Sequence, residues 1–222
     1  MELKDKIIVI TGGTKGLGKA MASCFLKNGA KVIVCSRDES EFVNLGNGIL
    51  GIKADVTKED ELQKMVNFVK EKFGRIDIWI NNAGIWLPRT IAEDFDMEKV
   101  KAMFDVNVFG TINGSRVALR FIKKQGFGSI VNVISDSAFV ARPMSSIYAA
   151  SKWAVNGFTK SIREANKNIK IISIFPGGMK TDIFGENKPD NYRDFMDPND
   201  VANRIVENIL KDEPKEELII QS

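Results

Sequence analysis

Tyr148-Ala-Ala-Ser-Lys152 is the stretch of this chain best equipped for proton chemistry. A tyrosine and a lysine four residues apart stack on one face of a helix. An ammonium beside a phenol favours the phenolate, so the pair predicts a Tyr148 pKa below the ordinary value of about 10. The chain has no histidine. Proton transfer near neutral pH therefore falls to a carboxyl, a thiol, or a tuned tyrosine or lysine. A Ser-His-Asp triad is excluded, and zinc sites built on histidine are disfavoured, so no metal site is expected. Tyr and Lys at this spacing form a short pattern that an ordinary half-buried helix residue also satisfies. The rest of the chain has to decide.

The elements around this pair form a regular series. Lys6 to Thr11 reads as a buried strand, because Ile7, Ile8, Val9 and Ile10 run without alternation, as in strands covered on both faces. Thr11-Gly12-Gly13-Thr14-Lys15-Gly16-Leu17-Gly18 follows, then a helical pattern to about Asn28 that Gly29 stops. Strand, glycine loop and helix are the context of a phosphate-binding turn: glycines admit a close backbone, and the helix N-terminus supplies free N–H groups and positive potential. A second strand, Lys31 to Ser36, ends in Ser36-Arg37. In a dinucleotide fold this strand end meets the adenosine ribose, where a carboxylate binds a free 2'-hydroxyl and repels a 2'-phosphate. Here Ser36 and Arg37, with Lys15 in the glycine loop, suit a phosphate, which points to NADP(H) with NAD(H) as the alternative.

Glu39 to Asn47 reads as a short irregular helix, and Ile49 to Val56 as a third strand. Asp55 either accepts from an adenine amino group or starts the next turn. Lys58 to Phe73 is an amphipathic helix. A fourth strand, Ile76 to Ile80, leads into Asn81-Asn82-Ala83-Gly84, whose small and amide side chains suit a crevice at a strand's C-terminal end. Asp96 is an N-cap for a helix reaching about Lys124, ended by Gly126. Asn107 and Gly110, both poor helix formers, predict a kink within it. Ser129 to Ile134 is a fifth strand with Ser135 at its end. The Tyr148 helix runs from about Ser146 to Asn166, and a sixth strand, Lys170 to Phe175, is stopped by Pro176-Gly177-Gly178. Residues 178–196 lack periodicity and predict a mobile loop over the site. Asp197-Pro198 starts a last helix to about Lys211, and Leu218 to Gln221 is a short edge strand. Strands alternating with helices require crossover connections. The expected fold is α/β: a single doubly wound Rossmann-like domain, residues 1–222, with a mostly parallel seven-stranded sheet and helices on both faces.

Composition limits the partners. The net charge of +3 is mild, and lysines and acids are interspersed with no basic stripe and no aromatic interleaving, which argues against nucleic acid. The apolar run near the N-terminus, Ile7 to Ile10, is too short for a signal peptide or a membrane span. Two cysteines, Cys24 and Cys35, suggest no disulfide framework. The expectation is a cytoplasmic protein without nucleic-acid or membrane partners.

In order along the chain, the glycine loop from Thr11 to Gly18, Asn81-Asn-Ala-Gly84, Ser135, Tyr148-Ala-Ala-Ser-Lys152 and Pro176-Gly177 with Thr181 resemble the short-chain dehydrogenase/reductase family. The resemblance runs from Lys4 to about Ile220, and the ordered set is specific where each motif alone is weak. It implies that Tyr148 is the general acid/base and that Lys152 lowers its pKa and holds the nicotinamide ribose. It also implies that Ser135 bonds the substrate oxygen, with Ser137 a competitor that spacing disfavours. Asn107 is similar to the asparagine that anchors a relay water. The cofactor contacts it implies are Gly12, Thr14, Lys15, Gly16, Leu17 and Gly18 at the phosphates, and Ser36 and Arg37 at the ribose. Asp55 and Val56 fall at the adenine, Asn82, Ala83 and Gly84 on the side wall, and Pro176, Gly177, Met179 and Thr181 near the carboxamide. After Thr181 the loop is short compared with fuller members, which close the substrate pocket and some subunit contacts there.

The expected reaction is hydride transfer between NADP(H) and a carbonyl or secondary alcohol, in the reductive direction. The alternatives are an NAD-dependent alcohol or sugar dehydrogenase and a non-catalytic dinucleotide sensor. Trp86, Phe139, Met144, Met179 and Phe184 near the expected mouth suggest an apolar or aromatic carbonyl. Small residues Ala150, Ala154, Gly157 and Ser161 form a stripe on the Tyr148 helix that admits a second helix closely. With the resemblance, they predict a homodimer or tetramer.

Overall fold

The computed structural model describes residues 2–221. Among them, seven strands form one sheet in the order β3-β2-β1-β4-β5-β6-β7. The strands are β1 (Ile7–Thr11), β2 (Lys31–Ser36), β3 (Ile49–Lys53), β4 (Ile78–Asn81), β5 (Ser129–Val133), β6 (Lys170–Pro176) and β7 (Glu217–Ile220). All six pairings are parallel, so the antiparallel edge allowed by a mostly parallel sheet is not used. The reason lies in the connections: α1 (Gly16–Lys27), α2 (Glu59–Phe73), α4 (Gly110–Gln125), α5 (Ser146–Glu164) and α6 (Pro198–Leu210) intervene between strands, and α3 (Met97–Phe104) precedes α4. A helix in a crossover returns the chain to the same end of the sheet.

The unalternating strands are explained by two cores. Ile8 and Ile10 of β1 pack with Met21 and Phe25 of α1 and Val201 and Ile205 of α6. Ile7 and Val9, pointing to the other face, pack with Leu62 and Val66 of α2 and Val117 and Ile122 of α4. Local signals end the helices where expected. Gly74 and Gly126 take left-handed φ of 76° and 85° as C-caps, and the side chains of Asp96 and Asp197 accept backbone N–H bonds at the starts of α3 and α6.

The expected kink takes a more specific form. Residues Asp105–Phe109 between α3 and α4 wind as a π-helical segment. Such a turn carries one extra residue and re-aims the side chains within it. Asn107 is the side chain re-aimed. It accepts from Ile85 N at 2.8 Å and donates to Ile85 O at 3.0 Å and to Ser151 Oγ at 3.2 Å, tying this helix to the loop after β4 and to α5. Gly110 is there for packing, since a Cβ would lie 2.7 Å from Val56 Cγ2.

A buried polar chain crosses the sheet beneath the site. Trp79 Nε1 donates to Asn81 Oδ1, Asn81 Nδ2 donates to Ser115 Oγ and Asn132 Oδ1, and Asn132 Nδ2 donates to Thr159 Oγ1 of α5. Satisfied networks of this kind fix one packing arrangement. Gly114 makes room for it: a Cβ there would fall 2.0 Å from Asn81 Oδ1. Gly114→Ala is therefore expected to destabilise the fold by about 1–3 kcal/mol, the usual range for overpacking. A urea midpoint equal to that of the wild type would show that the network yields at no cost.

Candidate active site

The strand order reverses beside β1: the chain builds β2 and β3 on one side and then crosses to β4 on the other. The loops leaving β1 and β4 diverge there and open a crevice. Their contact is backbone to backbone, for a Cβ on Gly12 (φ 62°) would lie 2.8 Å from Ala83 Cα. Asn82 stitches the two together, its Nδ2 donating to Thr11 O at 3.0 Å and Gly12 O at 2.9 Å. Thr11 Oγ1 accepts in return from Asn82 N and Ala83 N.

The crevice is one cavity of about 1180 Å³. Its walls include Gly12, Thr14, Lys15, Gly16, Leu17, Gly18, Ser36, Arg37, Val56, Asn82, Ala83, Gly84, Ser135, Tyr148, Lys152, Pro176, Gly177, Met179 and Thr181. Positions spread over most of the chain are thus brought together. Asp55 is not among them. Its Oδ1 accepts from Thr57 N and Thr57 Oγ1, both at 2.9 Å, so its side chain starts the turn into α2, between Ala54 and Val56 of the lining. Asn107 also stands outside the lining, one layer behind it, where it positions the loop after β4. Of the mouth residues, Trp86, Met179 and Phe184 line the cavity. Phe139 instead packs against Phe175 with ring centroids 5.2 Å apart, and Met144 is exposed.

The glycine loop fits a pyrophosphate. A Cβ on Gly18 would come within 2.2 Å of Gly12 O, so only glycine lets α1 start this close to the loop. The first turn of α1 carries no acidic residue, whereas that of α2 carries Glu59, Asp60 and Glu61. Its N–H groups and positive end are left for an anion from outside.

At the other end, α5 places Tyr148 and Lys152 on one face, with Lys152 Nζ 5.6 Å from the centroid of the tyrosine ring. The expected fall in the tyrosine pKa does not occur in this chain. Burial pushes the phenol up to about 12, with the nearby Asp136 carboxylate adding to the rise, while hydrogen bonding from Ser135 and the charge of Arg142 draw it down. The ammonium lies over the ring face, and burial acts on it too: Lys152 is 6% exposed and is pushed down to about 8. Desolvation disfavours both charges and is the largest influence on each. Gly84 leaves room beside this ammonium, a Cβ there lying 3.7 Å from Lys152 Nζ and 3.3 Å from Asn107 Oδ1.

Ser135 and Ser137 are distinguished by their partners. Ser135 Oγ lies 3.3 Å from Asp136 Oδ1 and accepts from Ser137 N at 3.2 Å, while Ser137 Oγ is taken by Arg142 Nη1 at 3.1 Å. Ser135 is the serine near Tyr148. Arg142 also pairs with the buried Asp136 at 2.6 Å. Both members line the cavity, and their pairing gave no sequence signal, since neither belongs to a motif.

The ribose end holds a second unread residue. Glu41, in the 3-10 helix Glu39–Asn44, a short irregular helix as expected that ends before Asn47, turns back onto the cavity wall. Ser36 Oγ donates to its Oε2 at 2.6 Å, Thr14 Oγ1 donates to the same oxygen, and Lys15 Nζ lies 3.2 Å from Oε1. Bonds from Ser36 and Thr14 hold this carboxyl at about 2, far below the usual range. Asp38 also lines the cavity beside Arg37, its Oδ1 accepting from Ser40 N, while Glu39 pairs with Lys53.

Residues 178–196 carry 3-10 turns at Asp182–Phe184 and Tyr192–Asp194, and their ends meet in a bridge between Met179 and Met196. Phe184 packs on Trp86 at 5.1 Å, on Phe195 at 5.7 Å and on Tyr192 at 6.0 Å, forming an aromatic wall over the cavity. No helix among the described residues is long and apolar enough to cross a membrane.

A family model described as short chain dehydrogenase matches residues 6–192. An uncharacterized oxidoreductase of Staphylococcus saprophyticus is 35% identical over 216 residues, covering 93% of this chain and 92% of the relative. Among solved structures, ElxO with NADP bound is similar at a TM-score of 0.86 and 31% identity, with 97% of each chain covered. A 3-ketoacyl-(acyl-carrier-protein) reductase from Brucella melitensis complexed with NADH is similar at a TM-score of 0.88 and 28% identity, with 98% of this chain and 97% of that one covered.

Proposed function

Since the chain belongs to the short-chain dehydrogenase/reductase family and is an NAD(P)-dependent oxidoreductase, we propose that it is an NADP(H)-dependent carbonyl reductase of the cytoplasm. The observation that carries this reading is the shared cavity, with a phosphate loop at one end and Ser135, Tyr148 and Lys152 at the other. A bound nicotinamide cofactor supplies the hydride. Tyr148 gives its proton to the carbonyl oxygen. The phenol carries its proton at neutral pH, as a donor to a carbonyl oxygen must. Ser135 donates a hydrogen bond to the oxygen as negative charge develops on it. Lys152 holds the nicotinamide ribose hydroxyls and favours the phenolate left behind. Thr14, Lys15, Ser36 and Arg37 receive the adenosine 2'-phosphate. The aromatic wall of Trp86, Phe184 and Phe195 excludes water and favours an apolar or aromatic carbonyl.

A panel of carbonyl compounds with NADPH and with NADH, followed by loss of cofactor absorbance, tests the reading. Turnover is expected with NADPH first. Faster turnover with NADH promotes the second reading, an NAD-dependent alcohol or sugar dehydrogenase. That reading has one observation of its own, the Glu41 carboxylate at the ribose end, which suits a hydroxyl donor.

The same reading includes self-association through α5. Ala150, Ala154, Gly157 and Ser161 all face outward, and a Cβ on Gly157 would meet nothing within 4 Å. Trp153 beside them is 55% exposed, and Phe109 is 54% exposed. Large apolar side chains around a smooth stripe fit a two-fold helix interface. Gly157→Arg is expected to shift a homodimer toward monomer in light scattering without loss of the folded circular-dichroism signal. A wild type that is monomeric at micromolar concentration removes this part of the proposal.

A further inference from the structure

At the C-terminal end of β2 the cavity wall carries Ser36, Arg37 and Asp38, with Thr14, Lys15 and Glu41 facing them. Ser36 Oγ, Thr14 Oγ1 and Lys15 Nζ converge on one anion, and that anion is the chain's own Glu41. Glu41 sits on a short turn, with a side chain 27% exposed, so its flexible stem can swing outward without disturbing the sheet. Arg37 stands beside it on the same wall, exposed, and makes no ion pair among the described residues.

We infer that Glu41 is a resident counter-anion in the seat of the adenosine 2'-phosphate, a residue that sets cofactor selectivity by having to leave when NADP(H) enters. This rests on the NADP(H) reading above. A carboxylate and a phosphate accept from the same two hydroxyls and the same ammonium, and two anions cannot share those donors. The resident carboxylate keeps the donors gathered and satisfied while the seat lacks a phosphate. The carboxyl, held at about 2, stays ionised at neutral pH, so the exchange is a displacement and not a protonation. A ribose 2'-hydroxyl is neutral and has one proton to donate. It cannot satisfy three donors, so it leaves Glu41 in place. Glu41 therefore opposes NADP(H) and hardly affects NAD(H), and the charge of Arg37 works against it. Removing the carboxylate is expected to tighten binding of a 2'-phosphate, the reverse of what deleting an ordinary site residue does.

Calorimetric titration of the full chain with 2',5'-ADP and with 5'-ADP isolates this seat from catalysis. Glu41→Gln keeps the shape and removes the charge, and Glu41→Ala removes the side chain. Both are expected to bind 2',5'-ADP about tenfold more tightly than the wild type, with 5'-ADP changed less than about twofold. Failure of both variants to gain 2',5'-ADP affinity overturns the inference. So does a tenfold loss of 5'-ADP binding, which would make Glu41 the acceptor of the ribose hydroxyl. If the variants gain 2',5'-ADP affinity while the wild type binds 5'-ADP at least as tightly, the inference stands and the NADP(H) preference alone fails.

Discussion

Tyr148→Phe is expected to lower carbonyl reduction by about 10²–10⁴-fold, the range of a lost general acid, while NADPH binding is retained. The substitution removes one hydroxyl and keeps the ring over which Lys152 Nζ lies. Its effect should therefore fall on turnover and leave the packing of α5 intact. The raised pKa, about 12, sharpens the test. A phenol whose folded pKa lies above its unfolded value makes the folded state hold the proton longer. Its contribution to stability is full below the unfolded value of 10.0 and is lost as pH rises toward 12. Tyr148→Phe should remove that alkaline loss as well as the turnover. Near-normal turnover in the variant would assign the proton to another group, and the buried Asp136, 3.3 Å from Ser135 Oγ, would be the first to examine.

Lys152→Met is expected to give a protein that is more stable and nearly inactive. The ammonium is buried, and among the described residues the face of the Tyr148 ring is the one partner it has. Burial lowers its pKa from 10.5 to about 8, so the folded state holds this proton less well than the unfolded chain does. The sign follows: below pH 8 the charged lysine destabilises the fold by its full amount, and the penalty fades as pH rises through 8 to 10.5. A shift of this size corresponds to about 3 kcal/mol at neutral pH. Methionine has a similar length and no charge to desolvate, so the variant should unfold at a higher urea concentration near neutrality and converge with the wild type above the unfolded pKa. Cofactor affinity and turnover should both fall, since the ribose loses its holder. A variant no more stable than the wild type at neutral pH would mean that the ammonium finds compensation within the fold. Stability given up at a site residue is a common trade for function.

These effects divide between what the chain spells out locally and what it acquires on folding. The central strands were legible because a run such as Ile7–Ile10 is apolar on both faces, and a strand so composed must lie between two layers of helices. Helix ends were legible because a cap is a contact between near neighbours: Asp96 and Asp197 at starts, Gly74 and Gly126 at ends. The alignment of Tyr148 with Lys152 follows from helix geometry alone, and the glycine loop from its place between β1 and α1. Even the outward stripe from Ala150 to Ser161 follows from the helical period, once Val155 and Thr159 are known to face inward.

What folding decided is of another kind. Whether Lys152 lowers the tyrosine pKa depends on how much water reaches both groups, and burial is a collective property of α5, the loop after β5 and the segment after β6. Desolvation prevailed, contrary to the local rule. The turn that Asp55 starts exists because Thr57 folds back onto its carboxylate. The π-helical turn at Asn107 is held by groups distant in sequence, Ile85 and Ser151, which partner its amide. Glu41 and Thr14 are twenty-seven residues apart and belong to no common pattern, yet they share a hydrogen bond in the cavity wall. Periodicity and capping are encoded within a few residues of themselves. The state of a charge is set by whatever the whole fold places around it.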